Sequence, residues 1–234
     1  MTQYFKYPRT GHCSWSESAT SDDVWSKTNF DGKEVVVLEK YDGENFNLYQ
    51  DHLHARSIDS KHHASRNWIK QFHASMAFNI PNNYRIVGEN VYAFHSILYL
   101  DLPSYFLVYA IYDDLNFCLN WDNTVEFCGL LGLETVPIIY RGVYDEDKIK
   151  KLWTGKGAFP TYGTNVDIPK SFDDVYPTTA EGYVIRNADG FHYDKFSDNV
   201  QKCVRKNHVQ TDDHWLSKPV TPNVLKGQVF IPAK

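Results

Sequence analysis

The chain has 234 residues, 42% of them hydrophobic and 23% charged, which supplies a folded core and rules out a disordered tail. Twenty-four Lys and Arg against 29 Asp and Glu leave a formal charge of -5, so the protein is not a polycation that coats nucleic acid by charge alone, and any basic site has to be local. The longest apolar runs, Val35–Leu38 and Phe106–Tyr112, fall far short of the roughly 18 to 20 residues that cross a bilayer, and the first residues lack the apolar stretch of a secretory leader; a soluble, cytoplasmic protein with no membrane partner is expected.

Residues 1–30 are rich in Ser, Thr and Asp around Trp15 and Trp25 and follow no steady period, which predicts an irregular lead-in packed on the body by its aromatic side chains. From Glu34 the pattern shortens to strands: EVVVLEK, then NFNLYQ after Asp42-Gly43, then HLHARS, an alternation that suits an antiparallel meander with a tight turn at Asp-Gly. Residues 60–78 turn helical, with Trp68, Phe72 and Met76 four apart and Ile69 beside them, a stripe opposite a polar face of Lys, His, Arg and Gln. Strands return at 84–94 and 105–113, the second apolar on both faces and so expected at the centre of a sheet. Asn123, with Glu126 three residues on, is the expected cap of one helix, and Asp145 of the next, whose Ile149, Leu152 and Trp153 should face inward before Gly155 ends it. Gly, Pro and Thr make 154–180 a long loop, after which EGYVIR, FHYDKF and NVQKCVRK read as the last strands. No repeat or linker divides the chain, so one α+β domain is expected over 31–210, between the lead-in and a tail, 211–234.

Cys13, Cys118, Cys128 and Cys203 stand singly, without the paired spacing of a zinc site, and each is expected to be reduced and buried. The histidines include His52, His54, His62 and His63 but no H-E-x-x-H, and neither common glycine-rich phosphate loop occurs. Chemistry has to come from elsewhere.

Lys40-Tyr41-Asp42-Gly43 places a lysine at the end of an apolar strand, where the amine is partly desolvated. Desolvation and neighbouring cations lower an ammonium's pKa, which a nucleophilic lysine needs. Alone, the four residues also fit a surface hairpin with a solvated lysine. They do not stand alone, because Glu89 in RIVGENVYA, Tyr109 in FLVYAIYD, Glu181 at the head of EGYVIR and Lys202 in KCVRK follow in order.

This ordered series resembles the covalent nucleotidyltransferase superfamily of ligases and capping enzymes, and most closely the ATP-dependent RNA ligases, over about Glu34 to Lys206. The resemblance implies a nucleotidyltransferase fold, ATP-grasp-like antiparallel sheets with flanking helices, that uses ATP and Mg²⁺ (or Mn²⁺) on RNA ends, a 5′-phosphate and a 3′-hydroxyl. Lys40 then matches the nucleophile that takes AMP from ATP, and Glu39 the acidic neighbour near the adenine. Arg56 matches an arginine that reaches ribose or a terminal phosphate with its planar donors, against a reading as a surface strand arginine. Glu89 would accept from the ribose hydroxyls, and Tyr109 would stack on the purine, with core packing its rival. Glu181 is the implied metal contact, and Lys202, with Arg205 or Lys206, would neutralise the phosphates.

Two departures stand out: Ala110 follows Tyr109 where the family often has Asp, and Lys202-Cys203-Val204-Arg205-Lys206 replaces the usual Lys-x-Lys. The roughly 28 residues after Lys206 are too few for an OB-fold, so RNA contacts are expected from the lead-in, from Lys61, Arg66 and Lys70 on the first helix, or from a protein partner. A DNA ligase, a GTP-using capping-type enzyme and a non-catalytic nucleic-acid end-binding module remain as alternatives.

Overall fold

The computed structural model describes residues 3–19, 23–159, 161–162 (backbone only), 180–206 and 220–228. In chain order the strands are β1 Gly11–His12, β2 Glu34–Lys40, β3 Glu44–Leu48, β4 Leu53–Ala55, β5 Arg85–Asn90, β6 Leu98–Tyr99, β7 Phe106–Tyr112, β8 Phe117–Cys118, β9 Glu134–Thr135, β10 Ile138–Val143, β11 Thr161–Tyr162, β12 Gly182–Asn187, β13 Phe191–His192 and β14 Val200–Val204. Three α-helices, α1 Asn67–Met76, α2 Trp121–Leu131 and α3 Glu146–Leu152, complete an α+β architecture. None of the described helices is long and apolar enough to cross a membrane.

Two sheets dominate. One runs β1-β14-β12-β2-β10; the other runs β13-β8-β7-β5-β3-β4, with β9 added beside β7. Pairing is antiparallel except for β1 on β14 and β9 on β7. β7 lies inside its sheet, as its two apolar faces require.

Period-two alternation explains how β2 serves both of its faces. Val35 and Val37 pack with Ile149, Tyr183 and Ile185 on the α3 side, whereas Val36 and Leu38 pack with Leu107, Trp121 and Val136 toward the other sheet. Lys40 shares the parity of Val36 and Leu38, so its amine is directed between the sheets. The second sheet carries Phe46, Ile86, Phe106 and Val108 against Ile69 and Met76 of α1 and Cys128 of α2.

Several expectations are corrected. Asp42-Gly43 is no hairpin turn: β2 pairs with β10 and β12 while β3 pairs with β4 and β5, so the K-Y-D-G segment carries the chain from one sheet to the other. Gly43 is required there by close approach, since a Cβ would lie 2.7 Å from the Asn90 carbonyl oxygen and 2.9 Å from Glu89 Cγ. A backbone oxygen inside a sheet yields little. Gly43→Ala is therefore expected to cost about 1–3 kcal/mol by overpacking, read as a lower denaturant midpoint; an unchanged midpoint would show that β5 gives way freely.

Asn120, rather than Asn123, caps α2, its side chain accepting from the Asn123 amide at 2.8 Å. Asp145 caps α3 as expected, but that helix ends at Leu152, which is 43% exposed. FHYDKF is strand only at Phe191–His192 and continues as a 3₁₀ turn through Asp198. His73, placed on the polar face of the first helix, is buried and donates Nε2 to the Tyr49 carbonyl at 2.6 Å. Cys13 and Cys203 are not reduced. The parallel pairing of β1 with β14 sets His12 beside Lys202, and the next residue of each strand forms a disulfide with its Cα atoms 5.5 Å apart. A separation of 190 residues leaves no local spacing to reveal it. Cys118 and Cys128 are free and buried. Most of the 154–180 loop lies outside the described residues.

Candidate active site

A cavity of about 300 Å³ opens between the sheets, and its walls include Glu39, Lys40, Arg56, Glu89, Tyr109 and Lys202. Glu181 stands against it: Lys40 Nζ donates to Glu181 Oε2 at 2.7 Å, and only 6% of the Glu181 side chain is exposed. Lys40 closes β2, Glu181 immediately precedes β12 and Lys202 sits within β14. These three strands are neighbours, and Gly182 faces Lys40 while Val184 faces Lys202 across the sheet. The opposite wall comes from Glu89 on β5 and Tyr109 on β7.

Charge in this space is densely coupled. Burial pulls the Lys40 ammonium down, but Glu181, Glu89 and Asp42 outweigh it and hold the pKa above its ordinary value. This corrects the expectation of a lysine lowered by desolvation. Lys202 is the amine whose pKa is lowered, by its own burial and then by the Lys40 charge. Burial raises the Glu181 carboxyl to about 7 and that of Glu89 to about 8, with Lys40 opposing both shifts. Two cations pressed together in a desolvated cleft favour an anion between them.

The remaining residues take distinct places. Glu39 is 4% exposed, accepts from the Ala158 amide at 2.7 Å, and is raised by burial to about 7. Tyr109 receives a hydrogen bond from Asn45 Nδ2 on its hydroxyl, and its ring meets Tyr7 edge-on at 5.5 Å. Arg56 lies one residue beyond β4 rather than within a strand, and is exposed at the cavity mouth. Arg205 and Lys206 do not line the cavity: Arg205 Nε donates to the Ala180 carbonyl at 2.9 Å, and the Lys206 amide donates to Glu17. On the first helix, Arg66 is tied to the Glu44 carboxylate through Nε and Nη2, and Lys70 Nζ meets His62 at 2.8 Å. Arg66 is thus committed to the fold rather than presented to an RNA backbone.

The lead-in supplies what sequence reading missed, because Tyr7, Pro8, Arg9, Thr10 and Asp23 all line the cavity. They carry no periodic signal. Their position follows from β1 pairing with β14, a contact between residues nearly two hundred apart.

Among the described residues no three His, Cys, Asp or Glu side chains form a metal cage. Glu181 and Glu89 nevertheless offer hard oxygen donors beside the two lysines, and each charge interacts with the other. That donor set fits a Mg²⁺ or Mn²⁺ ion that takes one or two carboxylates and completes its shell with substrate phosphates and water.

The raised carboxyls make stability depend on pH. Folded Glu39 keeps its proton up to about pH 7, whereas an unperturbed glutamate releases it near 4.5. Between those values the folded state binds more protons, so stability is fully present below the lower pKa and falls as pH rises through about 7. Glu181 and Glu89 act in the same direction. Glu39→Gln should therefore make the fall in melting temperature from about pH 5 to about pH 8.5 shallower without abolishing it. An unchanged slope would mean that Glu39 ionises without penalty.

A family model described as RNA ligase matches residues 33–204, most of the chain, and the protein belongs to that family. Among solved structures, two lysine-to-alanine variants of Naegleria gruberi RNA ligase with ATP and Mn are similar to it, with TM-scores of 0.47 and 0.48 and identities of 14% and 16%. The same Naegleria enzyme with pyrophosphate gives 0.47 and 15%. Each comparison covers 87% of this chain and 61%, 63% and 61% of the respective Naegleria chains, so the chain spans less than two thirds of their length. A search of curated proteins returned no match.

Proposed function

We propose that the protein is an ATP-dependent RNA ligase of the nucleotidyltransferase type, which forms lysyl-AMP on Lys40, passes AMP to an RNA 5′-phosphate and seals that end to a 3′-hydroxyl. The observation that carries this reading is the Lys40 amine, paired with buried Glu181 at the wall of a cavity into which Lys202 also projects. An end-binding module has no need of a nucleophile so placed.

In the first step Lys40 Nζ attacks the α-phosphorus. A P–N bond forms as the P–O bond to the β-phosphate breaks, and that electron pair leaves on pyrophosphate. The ammonium gives up two protons, one to expose the lone pair and one from nitrogen after the new bond forms. A bound Mg²⁺ or Mn²⁺ ion would shield phosphate charge and compete with the ammonium for Glu181, easing the first of these deprotonations. Lys202 neutralises charge developing around the α-phosphate. Glu89, acceptor-only when ionised, suits the ribose hydroxyls, and Tyr109 offers the purine a flat face. Glu39 accepts from the C6 amino group of adenine, where guanine carries a carbonyl oxygen that cannot donate, and this supports ATP over GTP. Arg56, at the mouth, reaches ribose or a terminal phosphate.

In the second step an oxygen of the RNA 5′-phosphate attacks the adenylyl phosphorus and the P–N bond breaks, its electron pair returning to Lys40 Nζ, which is reprotonated. In the third the 3′-hydroxyl loses its proton and attacks the RNA 5′-phosphorus as the P–O bond to AMP breaks and AMP leaves, the same cations facing the phosphate charge in one cleft. The ATP-grasp-like arrangement, a domain over residues 31–210 and a protein partner that grips RNA belong to the same proposal. Incubation with Mg²⁺ and α-labelled ATP or GTP tests it. ATP should yield a covalent protein-nucleotide adduct and GTP little or none; no adduct with either would favour an end-binding module.

A further inference from the structure

We propose that Arg9 of the lead-in is the second phosphate-binding cation of the nucleotide site, engaging the β- and γ-phosphates that leave as pyrophosphate. This assignment rests on the functional reading above and adds a residue to it. Among the described residues β14 brings one cation to the cavity, Lys202, and two positions on stands Val204, buried at 4% exposure. Neither Arg205 nor Lys206 adds a second, as both lie outside the cavity lining.

The described cations lining the cavity are Arg9, Lys40, Arg56, Arg186 and Lys202. Arg186 is buried and donates to the carbonyls of Tyr109, Leu119 and Asn187, so it is part of the scaffold. Lys40 holds Glu181, and Arg56, already given ribose or a terminal phosphate above, follows β4 of the other sheet rather than the sheet that carries Lys202. Arg9 remains, with 49% of its side chain exposed and one ion pair among the described residues, Nη2 to Asp23 Oδ1 at 3.5 Å.

That contact is longer than a good charge-assisted hydrogen bond and is exchangeable for a phosphate. Arg9 and Lys202 line the same cavity, and Arg9 enters it just ahead of β1, whose His12 pairs with Lys202 of β14. The Arg9 charge is one of those that depress the Lys202 pKa. A polyanion held by both cations relieves that repulsion. As the bond between the α-phosphorus and the bridging oxygen breaks, the electron pair moves onto pyrophosphate, and a guanidinium there neutralises it.

The rival account makes Arg9 a mere latch that secures the lead-in to Asp23. Calorimetric titration with inorganic pyrophosphate and Mg²⁺, on the wild type, Arg9→Ala, Arg9→Lys and Asp23→Asn, separates the two. Arg9→Ala should weaken pyrophosphate binding by about 10- to 100-fold, Arg9→Lys by less, and Asp23→Asn not at all, since it frees the guanidinium. Arg9→Ala should keep the circular-dichroism spectrum of the wild type, which shows that the variant is folded. Wild-type affinity in Arg9→Ala, an equal loss in Asp23→Asn, or no pyrophosphate binding by the wild type overturns the assignment. If pyrophosphate binding depends on Arg9 but ATP gives no adduct, the assignment stands and the ligase reading fails. If the adduct forms and Arg9→Ala binds pyrophosphate normally, the ligase reading stands and the assignment fails.

Discussion

Lys40→Ala is expected to form no covalent adduct with α-labelled ATP and to seal no ordinary 5′-phosphate end, while still sealing a pre-adenylylated end. The first two losses follow because the phosphoramidate needs a nitrogen at that position, and the third activity survives because it bypasses the lysine's step and uses only charge stabilisation. The substitution should not unfold the protein. Without the ammonium, Glu181 is a buried carboxyl already raised to about 7, and it can take up a proton instead of standing as an unpaired charge. Lys202 makes this test pointed, since its pKa is lowered whereas that of Lys40 is raised. Judged by proton affinity alone, Lys202 is the better free amine. Its place within β14, beside a second cation and, among the described residues, without the direct carboxylate bond that orients Lys40, suits it to receive phosphate charge. Full labelling of Lys40→Ala, lost again in a Lys40→Ala/Lys202→Ala double variant, would transfer the nucleophile to Lys202.

What could be read from the sequence here is what strand parity and residue chemistry carry. The run EVVVLEK reads as a strand, but as a half-buried one of a meander; the fold covers both of its faces and sets Lys40 with Val36 and Leu38 between the sheets. Glu89 and Tyr109 sit on two other strands whose apolar patterning was equally plain, and the fold brings them to the same cavity. The illegible parts depend on contacts without a local signature. Asp42-Gly43 has the composition of a hairpin turn, yet Gly43 answers the close approach of Asn90, and Asp42 instead accepts from the Ser96 and Ile97 amides. Arg66 looks like one more solvent-facing cation until Glu44, on another element, is seen to hold it. The lead-in has no period because two paired residues and a disulfide to β14, rather than a repeating face, fix it. Even the sign of the Lys40 shift was beyond the sequence, since it depends on Glu181, 141 residues away.

Glu181→Ala should lower the adenylylation rate on the order of 100-fold or more, as removal of a group that stabilises transition-state charge typically does. Two effects oppose each other in this variant. Loss of the carboxylate that bonds Nζ at 2.7 Å lowers the Lys40 pKa and makes the free amine easier to form, which favours attack. Loss of the same carboxylate also removes the best-placed oxygen donor for a divalent ion, and with it much of the shielding of the triphosphate. The second effect should dominate, because Lys40 without Glu181 is still an ammonium near neutral pH and each unit by which its pKa falls frees only about tenfold more amine, whereas an unshielded polyphosphate repels its nucleophile and retains its leaving group. The pH profile separates the two: in Glu181→Ala the rising limb of the labelling rate should shift to lower pH even though the plateau falls, and half-maximal activity should need more Mg²⁺. Glu181→Gln, which keeps an oxygen but not the charge, should fall between the wild type and alanine. Near-normal labelling in Glu181→Ala, with an unaltered Mg²⁺ requirement, would reduce Glu181 to the structural partner of Lys40 and leave Glu89 as the carboxylate that meets the metal.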